Sequence, residues 1–291
     1  MAFLTLIERK VLRYIQSRKG PNKTRFQGFL QPIRDAVKLF LKEFFLPGWG
    51  NLYIFIARPV VSLFLVLLLW GLIFFFENPF VFKYVVFLFL GFMRLEVYPL
   101  FISGWSSNNK YSIFGAVRGI VQTLSFEINF SLVLFSVLLL GIRARFLGIL
   151  KMNYYLSYRI FFLPLLAIFL ILLVVDSNRT PFDFAEGESE LVSGFNTEYS
   201  SGLFALIFLS EYAKILLFSM LVFRILFFSR ASLGGAYLGI TTISGLWIWV
   251  RATFPRFRYD LLLSFCWEGL LPFVVLFFLY VLGILVFFWL I

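Results

Sequence analysis

Long apolar runs divide this chain into segments of membrane-spanning length. A transmembrane helix needs about 20 consecutive, mostly apolar residues. The runs that meet or approach this length are residues 52–76, 84–104, 112–141, 158–175, 202–228, 236–250 and 261–291. The run 236–250 is the weakest, because it is short and its start carries the glycines of GGAYLG. The pattern predicts an all-α integral membrane protein with seven full transmembrane helices in a single membrane domain, residues 1–291.

A short apolar stretch precedes these spans. Residues 1–7 read MAFLTLI and stop at Glu8, which is typical of the last turns of a transmembrane helix. We expect this stub to be the truncated end of a first span that is either missing from this chain or supplied by a separate chain. A frayed terminus is the alternative.

Lys and Arg in the short connections indicate the orientation, because they concentrate on the cytoplasmic or matrix side. Fifteen of them fall on one side of the predicted spans and six on the other. The richer side includes the basic segment 8–50 and the connection 176–201. We therefore expect both to face the cytoplasm, or the matrix in a mitochondrion.

The basic segment contains an amphipathic pattern and no span. In GFLQPIRDAVKLFLKEFF, apolar residues recur at helical spacing while Arg34, Asp35, Lys38 and Lys42 fall largely on the other face. Such a helix is predicted to lie in the membrane interface. Two interpretations stay open: a surface anchor attracted to anionic lipid, and one wall of an opening for an amphiphilic ligand.

Composition narrows the chemistry. The chain is 61% hydrophobic and 14% charged, with a mean hydropathy of +0.93, one Cys and no His. A disulfide framework, a His-based metal site and a His general base are therefore excluded. No Cys cluster, haem ligand set or dinucleotide fingerprint is present, so we expect no redox centre, no metal site and no nucleic-acid partner. Proton chemistry would fall to carboxylates, Lys, Tyr and water.

Several ionisable residues lie inside predicted spans, where each costs at least about 2.5–3.5 kcal/mol on insertion scales. Glu127 and Glu211 are mid-span carboxylates and the strongest functional candidates. Lys214 follows Glu211 at helical spacing, so the two are expected to pair. Arg58 lies near the start of its span and is expected to extend to the surface. Buried ion pairs that lock helices together are the structural alternative.

The connection 176–201, DSNRTPFDFAEGESELVSGFNTEYSS, concentrates carboxylates. It contains Asp176, Asp183, Glu186, Glu188, Glu190 and Glu198. A helix beginning at Pro181 would place Asp183, Glu186 and Glu190 on one face. Close carboxylates hold and exchange protons near neutral pH. A solvated acidic loop is the alternative, although interleaved Phe182 and Phe184 favour packing against the protein.

Four long blocks resemble one family: NRTPFDFAEGESELVSGFNTEYSSGLFALIFLSEYAKIL, AFLTLIERKVLRYIQSRKGPNK with GFLQPIRDAVKLFLKE, SGWSSNNKYSIFGAVRGIVQTLSFEI, and IWVRATFPRFRYD. They resemble, in order along the whole chain, the subunit 1 family of NADH:ubiquinone oxidoreductase, respiratory complex I. One departure concerns the acidic connection, where VDSN places Asp176 at a position that the family usually fills with Glu. Another is Lys110, where a neutral residue is usual.

The resemblance implies a multi-pass protein of the mitochondrial inner membrane that forms much of a ubiquinone tunnel and couples quinone reduction to proton translocation. By motif matching, the proton path would contain Asp35, Glu127, Asp176, Asp183, Glu186, Glu188, Glu190 and Glu211. The quinone tunnel would contain Arg9, Arg18, Arg179, Phe208, Arg251 and Arg256.

The resemblance also implies that NADH, FMN and iron–sulfur centres are held by other subunits, with ubiquinone as substrate. Expected partners are peripheral-arm subunits at the quinone site, adjacent small membrane subunits and lipids such as cardiolipin. Two other classes stay open: an ion-coupled secondary transporter, which also needs intramembrane carboxylates, and the anchor of a related membrane-bound hydrogenase.

Overall fold

The computed structural model describes residues 1–24, 28–48, 50–75, 85–140, 163–185, 187, 193–227 and 233–290. Over these residues the protein is helical and contains no strand. The helices are α1 (Ala2–Ile15), α2 (Gln31–Leu41), α3 (Leu52–Phe75), α4 (Val85–Leu95), α5 (Val97–Ser106), α6 (Lys110–Leu140), α7 (Leu163–Asp176), α8 (Ser201–Phe227), α9 (Leu233–Thr253), α10 (Tyr259–Ser264) and α11 (Leu271–Leu290). A 3₁₀ turn, Gly194–Asn196, precedes α8, and a π-helical segment, Phe265–Leu270, joins α10 to α11.

Five stretches of the described residues are long and apolar enough to cross a membrane: Leu52–Leu72, Val85–Ser106, Lys110–Val137, Ser201–Phe223 and Tyr259–Gly283. They correspond to five of the predicted spans. The predicted span 158–175 begins outside the described residues, and its visible part is the shorter apolar helix Pro164–Asp176. The predicted span 236–250 lies in α9. These two spans stay predictions.

The second of these stretches is interrupted, although the hydrophobic pattern predicts a continuous helix. Glu96 separates α4 from α5, and its backbone N–H donates to the Met93 carbonyl at 3.1 Å. The cause lies in Pro99, because proline has no N–H to donate to the carbonyl of the residue four positions earlier. The break places a carboxylate where the chain changes from one helix to the next.

Helix α6 lies at the centre of the fold. It packs against α5, α7, α11 and the 3₁₀ turn. Phe126 on α6 and Phe89 on α4 are at most 2% exposed and belong to the main hydrophobic core, together with Phe218 on α8. Burial of such large apolar side chains between helices fixes the positions of the polar residues on the same helices.

The stub is not a separate element. Helix α1 continues without interruption from Ala2 through Glu8 to Ile15 and contacts α2, α8 and α9. Glu8 therefore lies in mid-helix, not at the end of an apolar segment. Helix α2 has Pro32 in its first turn, as the sequence indicated, and exposes Ile33, Val37 and Phe40. Its position in the membrane interface stays a prediction.

The π-helical segment faces α6 through polar contacts. The Asn129 amide donates to the Cys266 carbonyl at 3.5 Å and to the Cys266 sulfur at 3.2 Å. The Cys266 thiol in turn donates to the Ser125 carbonyl at 3.3 Å. These contacts satisfy backbone groups that a widened helical turn leaves less well paired.

We expect Gly115→Ala to destabilise the protein by about 1–3 kcal/mol, the usual cost of overpacking. A Cβ at Gly115 would lie 2.8 Å from the Gly194 Cα and 2.9 Å from the Phe195 backbone nitrogen, so α6 and the 3₁₀ turn would have to separate. Gly71→Ala on α3 is the matched control, because nothing lies within 4 Å of its added Cβ. Thermal melting of the solubilised protein measures both, and equal melting temperatures would contradict the prediction.

Candidate functional site

A polar cavity lies among α3, the α4–α5 break, α6, α7 and α8, and we call it the acidic cavity. Its empty volume is about 650 Å³, including its open mouth. Its lining includes the charged residues Arg58, Glu96, Glu127, Asp176, Glu211 and Lys214. These are the intramembrane charges that the sequence contains at widely separated positions. The fold brings them to one place.

Lys214 joins two carboxylates across three parts of the fold. Its Nζ donates a hydrogen bond to Glu96 Oε2 and lies 3.2 Å from Asp176 Oδ2. The Lys214 and Asp176 side chains are each 11% exposed and that of Glu96 is 14% exposed. The expectation that Lys214 pairs with Glu211 is wrong, because Lys214 turns toward the α4–α5 break and the end of α7.

Glu211 pairs with Arg179 instead. The Arg179 Nη2 lies 2.7 Å from Glu211 Oε2, with the two side chains 12% and 19% exposed. The same guanidinium lies over the rings of Phe208 at 5.4 Å and Tyr212 at 4.9 Å. Arg179 thus combines an ion pair with two ring contacts, an arrangement that a planar guanidinium permits and an ammonium does not.

Glu127 lies in the acidic cavity on a different footing. It is half-buried on α6. Within the described ranges it makes no hydrogen bond and no ion pair. The other carboxylates of the cavity each contact a cation. Glu127 is therefore the carboxylate here that no direct cation contact holds in its charged form.

A second cavity adjoins the first and is lined from α1, α7, α8 and α9. Its empty volume is about 410 Å³. Ser177 lines both cavities, and Arg179, which binds Glu211 of the acidic cavity, lines the second. The two cavities are thus connected through shared or directly bonded side chains. We call the second one the entry cavity.

The polar centre of the entry cavity is Glu8, which is 6% exposed. It forms an ion pair with Arg251, and the Tyr212 hydroxyl donates to it at 2.6 Å. These contacts tie α1 to α8 and α9. The remaining lining is largely apolar and includes Leu4, Trp247 and Ile248. An apolar wall with a few convergent polar groups suits an amphiphilic ligand.

Arg58 does not extend to the surface, so that expectation is wrong. It is 3% exposed, lies over the rings of Phe195 at 4.5 Å and Tyr199 at 5.0 Å, and donates to Asn196 at 3.3 Å. The 3₁₀ turn and the residues after it cover the start of α3, so protein encloses the guanidinium before it reaches water.

Tyr199 completes this enclosure of Arg58. Its ring stacks on Phe55 at 4.1 Å and its hydroxyl donates to the Phe55 carbonyl at 3.2 Å. Burial raises the pKa of Tyr199, while the neighbouring Arg58 charge opposes part of that rise. The phenol therefore remains a neutral hydrogen-bond donor that fastens the residues after the 3₁₀ turn to α3.

The other predicted acidic residues lie apart from the acidic cavity. Asp35 on α2 contacts Arg9 at 2.5 Å and accepts from Gln31 at 2.8 Å, in a partly exposed position. Asp183 lies 3.5 Å from Arg256. The predictions for Glu186, Glu188 and Glu190 fall outside the described residues. The predicted path is therefore visible as three groups, of which Glu127, Asp176 and Glu211 form the one that lines the acidic cavity.

The residues predicted for the tunnel separate in the same way. Arg179 and Arg251 line the entry cavity, and Phe208 contacts Arg179. Arg9 is half-exposed on α1 beside Asp35, and Arg18 is exposed after the end of that helix. Arg256 lies with Asp183 at the start of the acidic connection.

Sequence reasoning missed the roles of Glu8, Glu96 and Lys214 as ion-pair partners, and the enclosure of Arg58. A general signal existed, since an ionisable residue in an apolar helix needs a partner. The identity of that partner depends on which helices are neighbours, which the periodicity of a single helix does not contain. Within the described ranges, no group of three or more His, Cys, Asp or Glu side chains is placed to hold a metal ion.

Comparison with known proteins adds a family assignment. The sequence profile described as NADH dehydrogenase matches residues 1–282. NADH-ubiquinone oxidoreductase chain 1 of Anopheles gambiae is 47% identical over 288 residues, covering 99% of this chain and 92% of that protein. The proteins of the same name from Aedes aegypti and Anopheles quadrimaculatus are 45% and 46% identical, each with 99% of this chain and 92% of their own length covered.

Proposed function

Because the chain belongs to the NADH dehydrogenase family, we propose that it is a membrane subunit of a proton-translocating NADH:ubiquinone oxidoreductase in the mitochondrial inner membrane. It holds no redox centre in this proposal. Other subunits carry FMN and the iron–sulfur centres and deliver electrons to the quinone. This chain forms much of the quinone tunnel and transmits quinone reduction to the proton path.

The observation that carries the proposal is the ion pair between Arg179 and Glu211. Arg179 lines the entry cavity and Glu211 lines the acidic cavity, so one contact joins the space suited to an amphiphile to the space that holds carboxylates. A change of charge or occupancy beside Arg179 alters the field at Glu211 over a short, buried distance. Coulomb interactions act strongly there, because little water screens them.

The entry cavity has chemistry that suits a quinone. Arg251, Arg179 and the Tyr212 hydroxyl are donors for quinone oxygens, while Leu4, Trp247 and Ile248 offer apolar contact for the ring and tail. The exposed apolar residues of α2 would lie beside the membrane on the approach to this cavity. The partners in the assembly would be the peripheral-arm subunits at the quinone site, adjacent small membrane subunits and anionic lipids such as cardiolipin.

On the proton side, Glu127 and Glu211 are the carboxylates proposed to act. Glu211 senses Arg179, and Glu127 lines the same acidic cavity from α6. The stretch 183–190, with Asp183, Glu186, Glu188 and Glu190, would extend the path toward the quinone, and Asp35 would extend it along α2. This coupling rests on adjacency of the described groups, so it needs a functional measurement.

The test is substitution of Glu127 or Glu211 by Gln in the assembled complex. Each variant is expected to abolish quinone-linked proton pumping while NADH oxidation by an artificial acceptor at the flavin and iron–sulfur side continues, because only the proton-carrying oxygen is removed. Asp260→Asn is the matched control, since Asp260 is 72% exposed and pairs with the exposed Arg258. Full pumping in both Gln variants would refute the proposed coupling.

A further inference from the structure

The carboxylates of the acidic cavity are not equivalent. Glu96 and Asp176 share the ammonium of Lys214, and Glu211 binds the guanidinium of Arg179. Glu127 has neither kind of partner within the described ranges. A buried carboxylate beside a cation keeps its charge, whereas an uncompensated one is neutralised by a proton.

The charges around the cavity agree with this division. Three cations, Arg58, Arg179 and Lys214, face four carboxylates on the cavity lining or in direct contact with it. With every group ionised the set carries one excess negative charge. With one proton on Glu127 the set is neutral, which is the state that a poorly solvated site favours.

The position of Lys214 makes it suited to hold two carboxylates at once. It reaches Glu96 at the α4–α5 break and Asp176 at the end of α7 from its own place on α8. Within the described ranges no other Lys or Arg lies within ion-pairing distance of either carboxylate. The removal of Lys214 would therefore leave two negative charges facing one another in a buried site.

We propose that Lys214 is a positioning residue that keeps Glu96 and Asp176 permanently ionised, so that Glu127 is the carboxyl group of the acidic cavity that exchanges a proton. The proton binds a carboxylate oxygen of Glu127 and leaves from the same group. No bond to hydrogen on Glu96, Asp176 or Lys214 forms or breaks. Asp176 is thus assigned an electrostatic role in place of the proton-carrying role that the resemblance implies. The inference rests on the proposed function and deepens it.

Infrared difference spectra of the assembled complex, oxidised against NADH-reduced, test the assignment through the carbonyl stretch of protonated carboxyl groups. A band lost in Glu127→Gln and retained in Glu96→Gln and Asp176→Asn is expected. Lys214→Met is expected to add protonated-carboxyl signal, because Glu96 and Asp176 then lose their cation. Introducing Glu96→Gln or Asp176→Asn into the Lys214→Met background should remove part of this added signal.

Proton pumping gives the second readout. Lys214→Met is expected to lower the pumping rate by about tenfold or more, since removing one partner of a buried ion pair is strongly destabilising. Lys214→Arg should retain most of the rate because the charge remains. Adding Glu96→Gln and Asp176→Asn to Lys214→Met should raise the rate above that of Lys214→Met alone. Lys110→Met, at an exposed position at the start of α6, is the matched control for loss of a cation.

Three results would overturn the proposal: loss of the wild-type band in Glu96→Gln or Asp176→Asn, an unchanged carboxyl spectrum in Lys214→Met, or a further fall in pumping in the combined variant. These results are distinguishable from failure of the proposed function. The infrared bands report protonation whether or not protons are pumped. Full pumping in the Gln variants of Glu127 and Glu211 would reject the coupling without changing the assignment of charges.

Discussion

Replacing Arg179 by methionine is expected to abolish quinone-linked electron transfer and to destabilise the folded protein by about 3–5 kcal/mol, the usual result when a buried ion pair loses one partner. Glu211 would be left as a negative charge that is only 19% exposed. The rings of Phe208 and Tyr212 would lose the cation that lies over them. Quinone reductase activity and thermal melting of the assembled complex measure the two effects.

Two further variants separate charge from shape at this position. Arg179→Lys keeps the charge but loses the planar group that contacts both rings, so it should recover part of the stability and little of the activity. The double variant Arg179→Met with Glu211→Gln removes the stranded charge and should melt higher than Arg179→Met alone. Pumping should remain absent in it, since Glu211 is gone. If Arg179→Met melts and turns over like the wild type, the ion pair has no part in joining the cavities.

Replacing Arg58 by methionine is expected to destabilise the protein by about 3 kcal/mol, because it removes desolvated contacts with two rings and leaves a buried amide without its donor. The rings belong to Phe195 and Tyr199 and the amide to Asn196, all close to the 3₁₀ turn. The turn should then separate from α3, which would open the acidic cavity to water. Thermal melting and protease sensitivity of residues 193–200 measure these effects.

The control for Arg58 is an exposed arginine. Arg258→Met removes a side chain that is 76% exposed and should change stability by no more than about 0.5 kcal/mol. Arg58→Lys should lie between the two, since an ammonium keeps the charge and not the stacking. Equal melting of Arg58→Met and Arg258→Met would show that the enclosure of Arg58 contributes no net stability.

The sequence predicted the helical class and five of the spans because apolar length is a property of one segment at a time. It also identified Glu127 and Glu211 as mid-span carboxylates, and both line the acidic cavity. The neighbours of these residues were not predictable in the same way. Lys214 lies one helical turn from Glu211, yet it binds Glu96 and Asp176 because α8 presents it to the α4–α5 break and to the end of α7.

Two errors have one physical origin. Arg58 was expected to reach water and Glu8 to mark the end of an apolar segment, and both are buried and bonded to distant parts of the chain. Position along a helix indicates depth in a membrane, but whether a side chain meets water depends on what covers that helix. The cover comes from residues more than a hundred positions away, and local pattern contains no information about it.

The π-helical segment explains an unusual spacing in the last span. Leu262, Cys266, Leu270 and Val274 are all buried, at 2%, 0%, 6% and 0% exposure, and they recur every four residues. In a regular α-helix with 3.6 residues per turn, such a repeat would drift around the axis by about 40° at each step. The widened turn takes up the drift and keeps the four side chains in one straight row. Deleting a single residue between 265 and 270 would therefore rotate everything beyond it and turn the buried side of α11 toward lipid.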